Sequence, residues 1–241
     1  MVKNPKVIEA EKAQVEKIDE DEILFTPILK TGKGFYLTGA GLLIIVVLAA
    51  YAYLNQFRYG LGVTGLNTPT YWGIYITNFV FFIGISHAGT LISAILRISR
   101  AEWRRSITRS AEVITVLVLF FGAGNIIIDM GRPDRLLNVI YYGRFQSPLL
   151  WDVVSITAYL TASTIYLYLP LIPDIALLRD RVTGVRHWLY KVLALSWQGT
   201  EKQIHWLEVS IAIMAVLVIP IAVSVHTVVS YVFAMTIQPM W

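Results

Sequence analysis

Cysteine is absent from all 241 residues. That excludes disulfides, thiolate-ligated iron–sulfur clusters and cysteine zinc sites within this chain, so a redox metal must sit in another subunit or on histidine. Histidine is scarce as well: there are four, and His87 and His226 form the single pair that falls inside apolar runs. Charged residues make up 15% of the chain. The net charge of +4 does not describe a nucleic-acid surface, because the cations are segregated by loop. There is no low-complexity tract or short repeat, and no cleavable signal peptide is visible, since the first 35 residues are highly charged and an apolar core follows only afterwards.

What the chain has is apolar length. It is 56% hydrophobic with a mean hydropathy of +0.61, and spanning a ~30 Å hydrocarbon layer takes about 20 such residues per helix. Five stretches qualify, at 36–54, 71–98, 112–129, 151–172 and 206–235, which makes the expected fold an all-α integral membrane protein. Six Lys and Arg precede the first span, one lies between the first and second, five run from Arg97 to Arg109, three from Arg132 to Arg144 and five from Arg179 to Lys202. Alternation of rich and poor loops is the positive-inside signature; it places the N-terminus and the loops 97–110 and 173–205 in the cytoplasm. The expected plan is a charged cytoplasmic segment (1–35), a first transmembrane helix (36–54), an outer loop (55–70) and a four-helix transmembrane bundle (71–241). Trp72, Trp103, Trp151, Trp188, Trp197, Trp206 and Trp241 fall at predicted helix ends or in loops, where an aromatic belt belongs.

Polar residues inside these spans carry the functional reading, since each must face protein, water or a ligand. In the fourth span Asp152, Ser155, Tyr159, Ser163 and Tyr166 form one narrow stripe at ~100° per residue, read either as hydroxyl-bonded packing or as the wall of a quinone pocket and proton path. In the second span Asn78 and His87 are half a turn out of phase, with Tyr75, Gly89 and Ser93 on the Asn78 side and Gly84 and Thr90 on the His87 side. Such a helix is expected to be covered by protein on both faces. His87 is either a hydrogen-bonded structural residue or a proton acceptor for a quinol hydroxyl, imidazole being the side chain that exchanges protons near neutrality. In the fifth span Glu208 and His226 share a face five turns apart, with Pro220 between them; a proton path and a snorkelling Glu beside an unrelated His both fit. Asp129 ends the third span and Arg132 follows it; with Asp152 and a somewhat deeper His226 they are expected to converge near the outer surface, as catalytic or quinone-binding groups, or with acid and arginine as a loop-fixing ion pair.

Several blocks in order carry a family resemblance: WGIYITNFVFFIGISHAGTLISAILRISRAEWRRSITRSAE, GRP at 131–133, SPLLWDV at 147–153, LIPDIALLRDR at 171–181 and SVHTVVS at 224–230. Over roughly Gly60 to Trp241 the chain resembles NrfD or polysulfide-reductase-type membrane subunits, with most likeness to the quinol-oxidising (ActC-like) subunit of bacterial alternative complex III. The resemblance implies a multi-pass subunit of the bacterial cytoplasmic membrane that oxidises quinol, menaquinol above all, as its bound substrate. It implies no haem or iron–sulfur cluster in this chain and no metal site. Electrons would pass to an extracytoplasmic iron–sulfur subunit, with cytochrome c subunits, lipid and further membrane subunits as partners. It places His87 in HAGT, Asp152 in LLWDV and His226 in VHTVVS in the quinol pocket or proton route; Arg132 and Tyr159 complete the quinol-binding candidates. Ser155, Tyr159, Ser163, Tyr166, Glu208 and His226 are the proton-path candidates, and Asp129 joins His87 and Asp152 as a catalytic candidate.

Such subunits continue for several more helices, often as a second related bundle, so five helices are expected to be half of a larger two-bundle subunit. Two other functions compete. A haem-bearing cytochrome b-type anchor needs facing axial histidines, and His87 and His226 are predicted to lie at different depths, ~22 and ~14 Å from the outer ends of their helices at ~1.5 Å per residue. A non-redox transporter or assembly anchor is the other, although no inverted repeat is evident.

Overall fold

The computed structural model describes Thr26 and residues 31–66 and 73–235. Every regular element among them is helical. Five helices are long and apolar enough to cross a membrane: α1 (Lys33–Tyr59), α2 (Ile74–Ile98), α3 (Thr108–Asp129), α5 (Pro148–Arg179) and α7 (Glu201–Met235). Short α4 (Asn138–Tyr141) and α6 (Val185–Leu193) lie in the connections. Helix is the expected form, because hydrocarbon offers no hydrogen bonds and only a helix satisfies its own backbone along an apolar run.

The span limits differ from the sequence expectation mainly in α5, which was expected to stop at Ile172 but runs on to Arg179 through Pro170 and Pro173. Each proline removes one backbone donor. Polar contacts support this stretch: Arg109 pairs with Asp174, and its Nη2 donates to the Pro170 carbonyl at 3.3 Å. The predicted loop 173–205 therefore holds the end of α5 and all of α6.

The chain divides into two compact units, residues 1–55 and 56–241. In the first, α1 up to Asn55 buries no side chain. The second begins earlier than the expected boundary at 71 and holds the four-helix bundle α2, α3, α5 and α7. Its core joins Phe79, Ile83 and Ala94 of α2 to Leu119 of α3, Ile156, Tyr159 and Ala162 of α5, and Val218, Ala222 and Val225 of α7. Apolar side chains gain nothing by leaving lipid for protein, so association rests on close packing and interhelical hydrogen bonds. Small residues at the contacts serve the packing.

Gly89 shows how tight that packing is. A Cβ there would lie 2.8 Å from the Ala111 carbonyl and closer still to the Thr115 hydroxyl. The Gly89 and Ser93 side of α2 thus faces α3, while the His87 side faces α5 and α7. This chain's own helices cover much of both polar faces of α2. Gly89→Ala should destabilise the bundle by about 1–3 kcal/mol through overpacking, read as a lowered unfolding temperature of the detergent-solubilised protein.

Candidate functional site

Two groups of predicted residues come together at different levels of the bundle. The upper group borders a cavity of about 360 Å³ at the end of the bundle where α3 finishes and α5 starts. Its wall is mostly apolar, from Ile76 and Phe79 of α2, Ile126 of α3, Val139 of α4, Leu149 of α5 and Val229 and Phe233 of α7. Asp129 and Asp152 are the acids lining it. Each is half-buried, and in each one carboxylate oxygen is shielded from solvent without a hydrogen-bond donor among the described residues. Such an oxygen costs free energy until a donor reaches it.

A clamp fixes this end of α3. Tyr75 Oη donates to Gln56 Oε1 at 2.7 Å, and Gln56 Nε2 donates to the Ile128 carbonyl at 2.8 Å. Ile128 precedes Asp129, so the buried Gln56 side chain helps to set where that carboxylate stands. Sequence reading passed over Gln56; its one signal is an uncharged polar side chain at the end of an apolar run.

Below the cavity three predicted residues form a stack of rings. His87 lies between Tyr159 (centroids 4.6 Å apart, planes at 23°) and His226 (4.0 Å, 19°). Tyr159 is fully buried, His87 nearly so, and His226 is exposed. The predicted offset in depth between the two histidines is therefore not found. Helices of 25 and 35 residues do not end at the same level, so counting from their ends misjudged relative depth.

The nitrogens of His87 are both engaged. Nδ1 is 2.7 Å from the Ile83 carbonyl of its own helix, and Nε2 is 2.8 Å from the Ala222 carbonyl of α7. A neutral imidazole carries one N–H, so it satisfies one carbonyl at a time; imidazolium satisfies both. His87 lines no part of the cavity. It links α2 to α7 beneath it.

The stripe on α5 faces inward, with Ser155, Tyr159, Ser163 and Tyr166 all buried. Their hydrogen bonds run mainly across to α2 rather than along the stripe. Tyr159 Oη is 3.1 Å from Ser86 Oγ and 2.7 Å from Thr90 Oγ1. Ser155 Oγ donates to the Asp152 carbonyl at 3.1 Å. Tyr166 Oη is 3.2 Å from Ser93 Oγ and accepts from Arg97 Nε at 3.1 Å.

The last contact belongs to a buried cluster that sequence reading missed. Ser93 Oγ donates to Glu112 Oε1 at 2.5 Å, and Arg97 Nη2 stands 3.7 Å from the same oxygen. The sequence expectation counts Arg97 among the loop cations and opens the third span at Glu112. Because α3 begins at Thr108, four residues before the expected start, Glu112 falls inside the helix and is 2% exposed.

Two candidates stand apart. Arg132 pairs with Asp134 at 3.3 Å and borders a separate cavity with Phe57, Gly60 and Leu61; its hydrogen bonds hold the Asp134 carboxyl below the usual range. It does not reach Asp129 or Asp152 as the expected convergence required. Glu208 is exposed on α7 and shares no polar contact with His226 among the described residues.

A family model for polysulphide reductase, NrfD, matches residues 62–241. The chain belongs to this family. Among curated proteins, it is 27% identical over 220 residues to a Halobacterium salinarum protein provisionally named as a membrane subunit of dimethyl sulfoxide reductase, covering 90% of this chain and 47% of that one. It is 22% identical over 205 residues to a selenate reductase subunit of Mesobacillus selenatarsenatis, covering 80% and 46%. The integral membrane subunit of an Hdr-like menaquinol oxidoreductase of Archaeoglobus fulgidus is 24% identical over 128 residues, covering 52% and 32%. The chain thus spans about half the length or less of these curated relatives. As an NrfD-family chain with five membrane-length helices, it is a multi-pass membrane protein.

His87→Ala should cost about 2–4 kcal/mol, from the lost link to α7 and two ring contacts. Thermal unfolding in detergent tests this, and Asn at 87 should recover part of the loss by restoring one donor.

Proposed function

We propose that this chain is the membrane subunit of a quinol oxidoreductase and that menaquinol is oxidised in the cavity between Asp129 and Asp152. The observation that carries this reading is the cavity itself: two carboxylates with undersatisfied oxygens set in an otherwise apolar wall. A quinol headgroup has the matching chemistry, a flat apolar ring with two hydroxyl donors. Hydrogen bonds from those hydroxyls complete the carboxylates, and a charged acceptor makes the stronger bond. Oxidation releases two electrons and two protons per quinol. The carboxylates take the protons as general bases, and the electrons leave to a partner.

The partner is an extracytoplasmic iron–sulfur subunit, beside cytochrome c subunits and further membrane subunits that include a related second bundle, on the pattern of alternative complex III. The orientation that puts the cavity at the outer face of a bacterial cytoplasmic membrane, with the N-terminus inside, rests on the loop charges. The names of the menaquinol oxidoreductase and selenate reductase subunits agree with a redox assembly. The ring geometry of the histidine pair supports the quinol reading over the haem one: rings stacked 4.0 Å apart turn their faces to each other, whereas axial ligands point nitrogens at an iron held between them.

Asp129→Asn and Asp152→Asn should each lower quinol oxidation by tenfold or more in assembled complexes, whereas Arg132→Gln should change it less than threefold. The measurement is the steady-state rate with a short-chain menaquinol after assembly is verified by size-exclusion chromatography. Full turnover in both carboxylate variants would overturn the assignment.

A further inference from the structure

The connection between α5 and α7 carries an apolar face that no described part of the protein covers. On a helix turning ~100° per residue, Val185, Trp188, Leu189 and Val192 of α6 fall within about 100° of one another, and all four are exposed. The opposite side of α6 is anchored to α5. Ala194 is fully buried there, Tyr168 donates to the Leu193 carbonyl, and a His187 ring nitrogen lies 3.0 Å from the Arg179 carbonyl. Arg186 and Lys191 flank the apolar face, each roughly 110° from its centre by the same helical geometry. Between Asp180 and Glu201 the sequence contains no acid.

We propose that α6 is an interfacial helix that docks on anionic phospholipid, with Trp188 and its aliphatic neighbours among the upper acyl chains and Arg186 and Lys191 at the phosphates. The tether favours this occupant. Residues 180–184 join α6 to one membrane-length helix and 194–200 join it to another, so α6 is held at the membrane surface. An exposed apolar face there meets acyl chains, and long cationic side chains beside it extend to the headgroups. The loop charges assign this surface to the cytoplasmic leaflet. Each cation adds about a fivefold preference for anionic lipid, the equivalent of ~1 kcal/mol. The proposal is independent of quinol chemistry.

The cysteine-free sequence makes the test direct. Leu189→Cys in the full chain carries a nitroxide, and its collisions with oxygen and with a water-soluble nickel chelate are measured in nanodiscs of phosphatidylcholine with and without phosphatidylglycerol. Val192→Cys is a second label site should Leu189→Cys fail to fold. The expected result is a label reached by oxygen and shielded from nickel, set deeper when phosphatidylglycerol is present, with that dependence lost in the Arg186→Gln, Lys191→Gln background. A label open to nickel as in free solution overturns the proposal. So does one shielded from both reagents, which marks a protein partner on this face, and so does an immersion depth that ignores phosphatidylglycerol or keeps its dependence without the two cations.

Discussion

A polar group within the hydrocarbon layer must find a hydrogen-bond partner inside the protein, and on α2 the partners that lie on neighbouring helices decide how it sits in the bundle. Ser86, His87, Thr90 and Ser93 are all buried, and all four reach outside α2: to Tyr159 and Tyr166 on α5, to Ala222 on α7 and to Glu112 on α3. Apolar packing between membrane helices is permissive about rotation, because one lipid-like surface serves nearly as well as another. Hydrogen bonds of fixed geometry are not. The polar residues that first read as candidate chemistry therefore also set the register of the helices, and the cavity at the end of the bundle is a result of that register.

The two roles separate by level. At the level of Tyr159 and His87 the polar atoms are largely satisfied within the protein, and the rings fill the space. One end beyond, at Asp129 and Asp152, carboxylates face a cavity with an oxygen each left over. A structural ion pair would have closed on itself, as Arg132 and Asp134 do at the surface. Leaving two acids short of donors in an apolar wall is costly, and a ligand with two donors relieves it. That contrast moves the proposed proton-accepting role away from His87, whose nitrogens are committed, and onto the acids.

Much of this could be read from the sequence because membrane helices obey two strong rules, apolar length and 3.6-residue periodicity. The five spans and the inward-facing stripe on α5 come directly from them. Relations between helices were harder to read. Depth counted from helix ends put His87 and His226 apart, whereas their rings stack, and charge clustering at one end of the chain's spans drew in Arg132, which bonds locally to a residue two positions away. Glu112 was missed because a one-turn error at the start of α3 turns a buried acid into a boundary residue. Gln56 was missed for a related reason: its partners, Tyr75 and the Ile128 carbonyl, lie on different helices, and no spacing within one run reveals them.

The stack also shows why chemistry and structure are difficult to separate in this fold. Tyr159, His87 and His226 run from the core to the exposed side of α7, so a change at the outer ring bears on the middle one, and through its two carbonyl contacts on the spacing of α2 and α7. Phe79 and Val229, which line the cavity, belong to those same two helices, two turns and one turn from the stacked histidines. A shift in the α2 to α7 spacing thus alters the cavity without any ring entering it. His87 can influence ligand binding as a positioning residue, and loss of activity on its removal would not by itself identify it as the proton acceptor.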